Sequence, residues 1–288
     1  MESNFLTTIF LPLALFIIML GMGLGLTLED FKRVMTAPKA VVLGLIAQLL
    51  MLPIVGFLLA SLFALSPELA VGVMILAACP GGSTSNLISY LVKGNVALSI
   101  TLTAVSSVIT IVTIPFVVNM SANHFMGENI ALQLPILKTI LQIAVITLIP
   151  ISLGMACHYN FPKLAMVVEQ KVKWLSLFFL GVIIVGILLK ERENLASFFL
   201  QVGGVTVALN LLTMALGYGL ALGAGLNLPE RKSITVEVGI QNGTLAIAIA
   251  TTLLNNPMMA IPAAIYSLVM FLTSAIFASI LKYILVES

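Results

Sequence analysis

A chain of 288 residues with 60% hydrophobic and only 8% charged residues cannot solvate the surface of a soluble globule, where about a quarter of residues are charged. The same apolar richness excludes disorder, and sparse charges summing to +2 exclude a nucleic-acid partner. What remains is an all-α polytopic membrane protein, because the apolar runs are continuous rather than alternating as in a transmembrane barrel.

A helix that crosses a bilayer takes about 20 residues. Charged and turn residues divide this chain into nine such segments, at about 5–26, 38–63, 68–92, 95–119, 133–159, 168–190, 195–225, 229–254 and 257–284. The first follows no basic run, the earliest charge being Glu2, and has no small-residue cleavage site, so it is expected to be a retained helix. Its Gly21-Met22-Gly23-Leu24-Gly25 run suits close helix packing. The second carries Gln48 at mid-depth. The third is interrupted by Pro80-Gly81-Gly82, followed by the capping residues Ser83-Thr84-Ser85-Asn86. The fourth places Ser99 and Thr103 four apart, on one face. His124 is expected in an outer loop and His158 at a cytoplasmic helix end, neither with metal-ligand company. The sixth segment has a short uncharged core, but Lys173 and Lys190 can snorkel from its ends. Asn210 in the seventh reads as an interhelical hydrogen-bonder. Cys79 and Cys157 lie in apolar surroundings and read as small hydrophobes, not a disulfide framework.

Basic residues orient the chain. Lys32, Arg33, Lys39, Lys93, Lys163, Lys171, Lys173, Arg231, Lys232 and Lys282 fall on one side, against Lys138, Lys190 and Arg192 on the other. The richer side is expected in the cytoplasm, which puts the N-terminus outside and the C-terminus inside.

The eighth segment is interrupted as the third is. Glu237-Val238-Gly239-Ile240-Gln241-Asn242-Gly243-Thr244 places glycines around a polar cluster near mid-depth. Non-helical backbone at that depth is tolerated only when buried in protein or facing a wet cavity. The third helix descends and the eighth ascends, so the units around them are inverted. Paired broken helices in matching positions point to a secondary transporter with its site at the repeat interface. The second half-helices begin near Ser83-Thr84 and Asn242-Gly243, where free N–H groups and the helix dipole favour an anion. Freed carbonyls from Val238 to Ile240 suit a hard cation.

Glu237 is the acidic residue placed deepest. An ionisable group there costs about 3 kcal/mol or more. The plain alternative is a hydrogen-bonded structural carboxyl; the functional ones are a cation ligand or a proton carrier, and the surrounding hydroxyls and amides favour the cation. No phosphate loop, zinc spacing or nucleophile–base pair is present, so no enzyme is expected.

Ala78-Cys-Pro-Gly-Gly-Ser-Thr-Ser-Asn86, then Tyr90-Leu-Val-Lys-Gly-Asn-Val-Ala-Leu-Ser99, and Glu237-Val-Gly-Ile-Gln-Asn-Gly-Thr-Leu-Ala246 closely resemble the bile acid:sodium symporter family. Gly21-Met-Gly-Leu-Gly-Leu fits it too, and the resemblance covers nearly the whole chain. It implies two crossing broken helices in a core domain (38–63, 68–92, 95–119, 195–225, 229–254, 257–284) that moves against a panel domain (5–26, 133–159, 168–190). Many bacterial members have ten helices in two inverted five-helix repeats; the resemblance implies that this chain lacks the first, as the animal members do, which is the expected reason for an unpaired fifth. The resemblance implies one sodium site at Ser85, Asn86, Ser99, Thr103 and Glu237. It implies a second at Gln48, Glu237, Gln241 and the carbonyls of Val238 and Ile240. More loosely, it places Ser83, Thr84, Asn242, Gly243 and Thr244 around a small organic anion.

The expectation is a Na⁺-coupled symporter of an organic anion, two Na⁺ per cycle, working by alternating access in a bacterial inner membrane. Its partners are the anion, Na⁺ and membrane lipid, and a monomer suffices. The rival readings are a proton-coupled organic-anion transporter with Glu237 as carrier, and a membrane receptor or sensor without turnover.

Overall fold

The computed structural model describes residues 9–127, 135–190 and 195–286. The first helices are α1 (Leu11–Leu24) and α2 (Leu28–Thr36), which meet at a bend of 62°. Next, α3 (Pro38–Ile46), a π turn (Ala47–Met51) and α4 (Leu52–Leu62) run on as one helix. They are followed by α5 (Pro67–Ala78), α6 (Thr84–Leu91), α7 (Val96–Met126), α8 (Ile136–Asn160), α9 (Pro162–Lys190) and α10 (Leu195–Gly223). The chain ends in α11 (Leu228–Gly239), α12 (Gly243–Ala248) with a π turn (Ile249–Leu253), a 3-10 turn (Pro257–Ala260) and α13 (Ile261–Val286). Among the described residues the only β-type pairing shown is one isolated bridge.

Among the described residues, six helical stretches are long and apolar enough to cross a membrane alone: the α3–α4 run, α7, α8, α9, α10 and the run into α13. A seventh forms if the bent pair α1–α2 counts as one span, while α5 and the α12 run are shorter apolar helices. The protein is therefore an all-helical polytopic membrane protein.

Local chemistry explains where these helices start and stop. α5 opens on Pro67, whose missing N–H is no loss at a first helical position. It ends at Ala78, because Cys79 turns extended before Pro80. α11 opens on a capping box: Asn227 Oδ1 accepts from the Glu230 N–H at 3.0 Å and Glu230 Oε2 accepts from the Asn227 N–H at 3.1 Å. It ends at Gly239, after which Ile240 is extended.

Three boundaries differ from the sequence expectation. The stretch after the first segment, expected as a loop, is α2: the Asp30 carboxylate caps it by accepting from the Thr27 N–H and hydroxyl, both at 2.8 Å. Phe31 and Val34 turn inward while Lys32 and Thr36 face out, a helical period hidden by the charges. The fourth segment does not end at 119 but runs through Pro115 to Met126. Proline removes a single ladder bond, and the last turn is held by packing. His124 is thus not a loop residue: its ring lies 4.8 Å from Phe57 and from Phe125. The sixth segment starts at Pro162 rather than 168, again with proline at the helix start.

α5 and α11 occupy the centre. Every residue from Leu69 to Ala78 and from Lys232 to Gly239 is buried. α4, α7 and α13 pack on α5; α10, α6 and α7 pack on α11. α1 packs chiefly on α8 and α9. That crossing is glycine-dependent, as the run at Gly21 to Gly25 led one to expect. A Cβ at Gly23 would strike the Ile151 carbonyl, and one at Gly154 would strike the backbone of Leu20 and Leu24. His158, in the last turn of α8, hydrogen-bonds through Nδ1 to the Leu24 carbonyl at 2.6 Å. Cys79 and Cys157 are both free thiols.

Candidate functional site

The two interruptions meet. The Gly82 N–H donates to the Ile240 carbonyl at 2.8 Å and the Asn242 N–H donates to the Pro80 carbonyl at 3.0 Å. Gly81 stands opposite Gln241 in an antiparallel bridge. A constant separation of 160 residues relates Pro80 to Ile240, Gly81 to Gln241 and Gly82 to Asn242, so the crossover has local two-fold symmetry. Each break thereby supplies hydrogen bonds to the other, which satisfies backbone groups that no helix pairs.

The symmetry ends at the side chains. Glu237, on the last turn of α11, is 0% exposed and turns its carboxylate toward the backbone of Gly81. A Cβ at Gly81 would collide with Glu237 Oε1. Three hydroxyls surround that carboxylate. Ser85 of α6 and Ser99 of α7 donate to Oε2 at 2.8 and 2.9 Å; Thr103 of α7 donates to Oε1 at 2.6 Å. The hydroxyl oxygens are also close to one another, Ser85 lying 3.3 Å from both Ser99 and Thr103. Burying a carboxylate is expensive without compensation, and here hydroxyl dipoles supply it. Among the described residues no basic side chain forms an ion pair with it; the one pair shown is Arg33–Asp30, far along the chain. A cluster of hard oxygens around a carboxyl group that has no basic partner among the described residues fits a small hard cation. Asn86 stands beside this cluster in sequence but hydrogen-bonds to none of it. Its Oδ1 is buried without a partner, an acceptor open to a cation.

A second cluster gathers around Gln48 and Gln241. The π turn Ala47–Met51, just before Pro53, carries Gln48 into the interior. Gln48 Nε2 donates to Gln241 Oε1 at 2.7 Å and to the Cys79 carbonyl at 3.1 Å. Gln241 Nε2 donates to the Val238 carbonyl at 2.9 Å. Gln48, Gln241 and Val238 are thus brought together, and the Ile240 carbonyl sits one residue from Gln241, engaged by Gly82. The hydrogen bonds of Glu237 go to the three hydroxyls and not to Gln48 or Gln241, so its sharing between two ion sites is not visible as a direct bond.

The residues expected around an anion line a crevice at the same crossover. Ser83, Thr84, Asn242, Gly243 and Thr244 face Ile18, Met19 and Met22 of α1 and Ser176 and Leu180 of α9. Asn242 Oδ1 accepts from the Leu245 N–H at 3.0 Å and so caps α12. The crevice is narrow, about 30 Å³. It adjoins a cavity of about 440 Å³ that shares Ile18, Met22, Ser83 and Ser176 with it and continues along Asn86, Tyr90, Gly25 and Glu169. The α1 and α9 side of this wall was not read from the sequence. Ser176 and Met22 are ordinary residues of apolar segments, and only the docking of the helices places them here.

The chain matches the model of the Sodium Bile acid symporter family over residues 12–198. It is 34% identical over 260 residues to an uncharacterized sodium-dependent transporter, YocS, of Bacillus subtilis, covering 90% of this chain and 78% of that one. It is 29% identical over 280 residues to a probable sodium/metabolite cotransporter, BASS1 of the Arabidopsis thaliana chloroplast, covering 96% and 68%. It is 33% identical over 243 residues to sodium/bile acid cotransporter 4 of Mus musculus, covering 84% and 55%. Family match, paired helix breaks and an all-helical membrane architecture agree: the chain belongs to the sodium bile acid symporter family.

Proposed function

We propose that this protein is a Na⁺-coupled symporter that imports a small organic anion by alternating access. The observation that carries the reading is the Glu237 carboxylate, fully buried, ringed by Ser85, Ser99 and Thr103 and without a basic partner among the described residues. One Na⁺ takes these oxygens with Asn86. A second takes Gln48, Gln241 and the Val238 and Ile240 carbonyls, with Glu237 balancing both. Val238 O and Ile240 O each accept one short hydrogen bond, which leaves lone pairs for an ion.

Two Na⁺ beside one carboxylate leave one net positive charge. A monoanion held at Ser83, Thr84, Asn242, Gly243 and Thr244, before the half-helix N-termini, neutralises it. A loaded, near-neutral site crosses the membrane more readily than a half-loaded one, and that preference is the coupling. Return of the empty site carries charge, so the membrane potential contributes about 2.3 kcal/mol per charge per 100 mV. In this reading the chain crosses nine times, α5–α6 and α11–α12 each forming one broken crossing. α1, α8 and α9 form a panel against which the remainder moves. The larger cavity ends near Gly25, Tyr90 and Glu169. In this reading those positions border the lysine-rich, cytoplasmic side, and the cavity along them is the inward-facing path.

The test is uptake into proteoliposomes of candidate organic anions, among them steroid conjugates and 2-oxo acids, under an inward Na⁺ gradient. Accumulation that follows the gradient and the potential supports the reading. Binding without accumulation favours a receptor, and uptake driven by a proton gradient alone favours Glu237 as a proton carrier; either result ends the Na⁺ symport reading.

A further inference from the structure

The two-fold relation at the crossover extends to a pair of carboxamides. Gln48 Nε2 donates to the Cys79 carbonyl at 3.1 Å, and Asn210 Nδ2 donates to the Gly239 carbonyl at 2.8 Å. Cys79 and Gly239 stand 160 residues apart, the separation that relates the bridge residues. Each carboxamide comes from the helical span that precedes its broken helix: Gln48 from the α3–α4 run, Asn210 from α10. Asn210 is the structural counterpart of Gln48.

The surroundings of the two differ. Gln48 reaches across to Gln241. The two-fold mate of Gln241 is Gly81, which has no side chain, and Asn210 bonds instead to Tyr266 of α13, its Nδ2 lying 3.1 Å from the Tyr266 hydroxyl. That hydroxyl itself donates to the Gly239 carbonyl at 3.0 Å. Gly239 O therefore receives two side-chain donors. Its residue has no side chain to anchor it, and Met214 leaves no room for one, lying 2.6 Å from where a Cβ would stand. The carbonyl is the handle by which this stretch of backbone is held.

Asn210 does this at a loss. It is 0% exposed and its Oδ1 has no hydrogen-bond partner. Flipping the amide would point Oδ1 at the Gly239 carbonyl oxygen, so the donor orientation is enforced. A buried acceptor left unsatisfied is destabilising. An apolar residue at 210 would avoid the loss and give up the hold on Gly239.

We propose that Asn210, together with Tyr266, is a positioning pair for the second cation. By pinning the Gly239 carbonyl to the α10–α13 side, the pair fixes the backbone turn at 239–240 and so aims the flanking Val238 and Ile240 carbonyls at the ion. Thr213, one turn along α10 with Oγ1 3.5 Å from the Val238 carbonyl, lies on the same side. The inference rests on the Na⁺ reading given above. Neither residue touches the ion; both act through the carbonyl geometry, and ion selectivity is what such geometry sets.

The experiment is thermal unfolding of the purified full-length chain, titrated with NaCl or LiCl against choline chloride at constant ionic strength. The proteins compared are the parent, Asn210→Ala, Tyr266→Phe and Glu237→Gln. The expected result for Asn210→Ala is an increase of about tenfold in half-saturating Na⁺, the size seen when groups that orient metal ligands are removed. The ratio of Na⁺ to Li⁺ affinity falls with it. Tyr266→Phe, which keeps the ring and loses one donor, shifts the same ratio in the same direction by a smaller factor. A merely structural role lowers the melting temperature in choline and leaves the Na⁺/Li⁺ ratio at the parent value; that result overturns the proposal. If Asn210→Ala does not fold, Tyr266→Phe decides, and an unchanged ratio again overturns it. A parent that does not respond to Na⁺ removes the Na⁺ reading and this inference with it. A responsive parent, a silent Glu237→Gln and parent-like Asn210 and Tyr266 variants overturn the positioning role alone.

Discussion

Glu237 fills the space that a side chain at Gly81 would occupy, so the carboxylate of one broken helix is accommodated by the missing side chain of the other. The two breaks are alike in backbone and unlike in side chains. The pseudo-symmetric crossover thus carries a single acidic group, held by hydroxyls from α6 and α7.

Gly81→Ala is the direct test of that fit. Its Cβ strikes Glu237 Oε1, and overpacking of this kind costs about 1–3 kcal/mol. The carboxylate is displaced from its hydroxyls, so the Na⁺-induced rise in melting temperature shrinks to a small fraction of the parent value. A variant with the parent's Na⁺ response would show that the carboxylate position does not matter.

Thr103→Val removes the shortest of the three donors, at 2.6 Å, while keeping the branched shape. In the Na⁺ reading the Thr103 hydroxyl is an oxygen ligand of the ion, so half-saturating Na⁺ rises about tenfold or more, the size seen when groups that hold a metal site in place are removed. Ser85→Ala and Ser99→Ala act in the same direction. Titration of Na⁺-dependent stability reads all three.

Gln48 and Gln241 meet side chain to side chain at 2.7 Å and are predicted to be energetically coupled. In a double-mutant cycle of Gln48→Ala and Gln241→Ala, the second loss is smaller than when made alone, by about 0.5–3 kcal/mol. Additive losses in Na⁺ affinity would separate the two residues.

Gly154→Val addresses a different part of the molecule. Its added atoms meet the backbone of Leu20 and Leu24, where α1 crosses α8, away from the carboxylate cluster. The melting temperature falls, with half-saturating Na⁺ within about twofold of the parent, because distant sites are nearly additive. A Na⁺ shift comparable to that of Thr103→Val would show that the two regions are linked.

Much of the site is local in sequence. Pro80-Gly81-Gly82 cannot continue a helix, and Ser99 and Thr103 share a face by spacing alone. Glu237 is conspicuous because few charges lie among so many apolar residues. α2, the far end of α7 and the role of Asn210 were less legible. Charges masked the amphipathic period of α2, and aromatic packing around His124 carries α7 beyond its polar residues. Asn210 looks like any interhelical amide until its carbonyl partner is known.

By itself the sequence determined the membrane setting, the two breaks and the residue types that gather there, because apolar run length and backbone breakers act over a few residues. Only the tertiary structure decided that Gly81 stands opposite Gln241, that α9 helps wall the cavity, and that Asn210 mirrors Gln48. Those relations join segments far apart in the chain, and their register is set by helix packing, which no local pattern encodes.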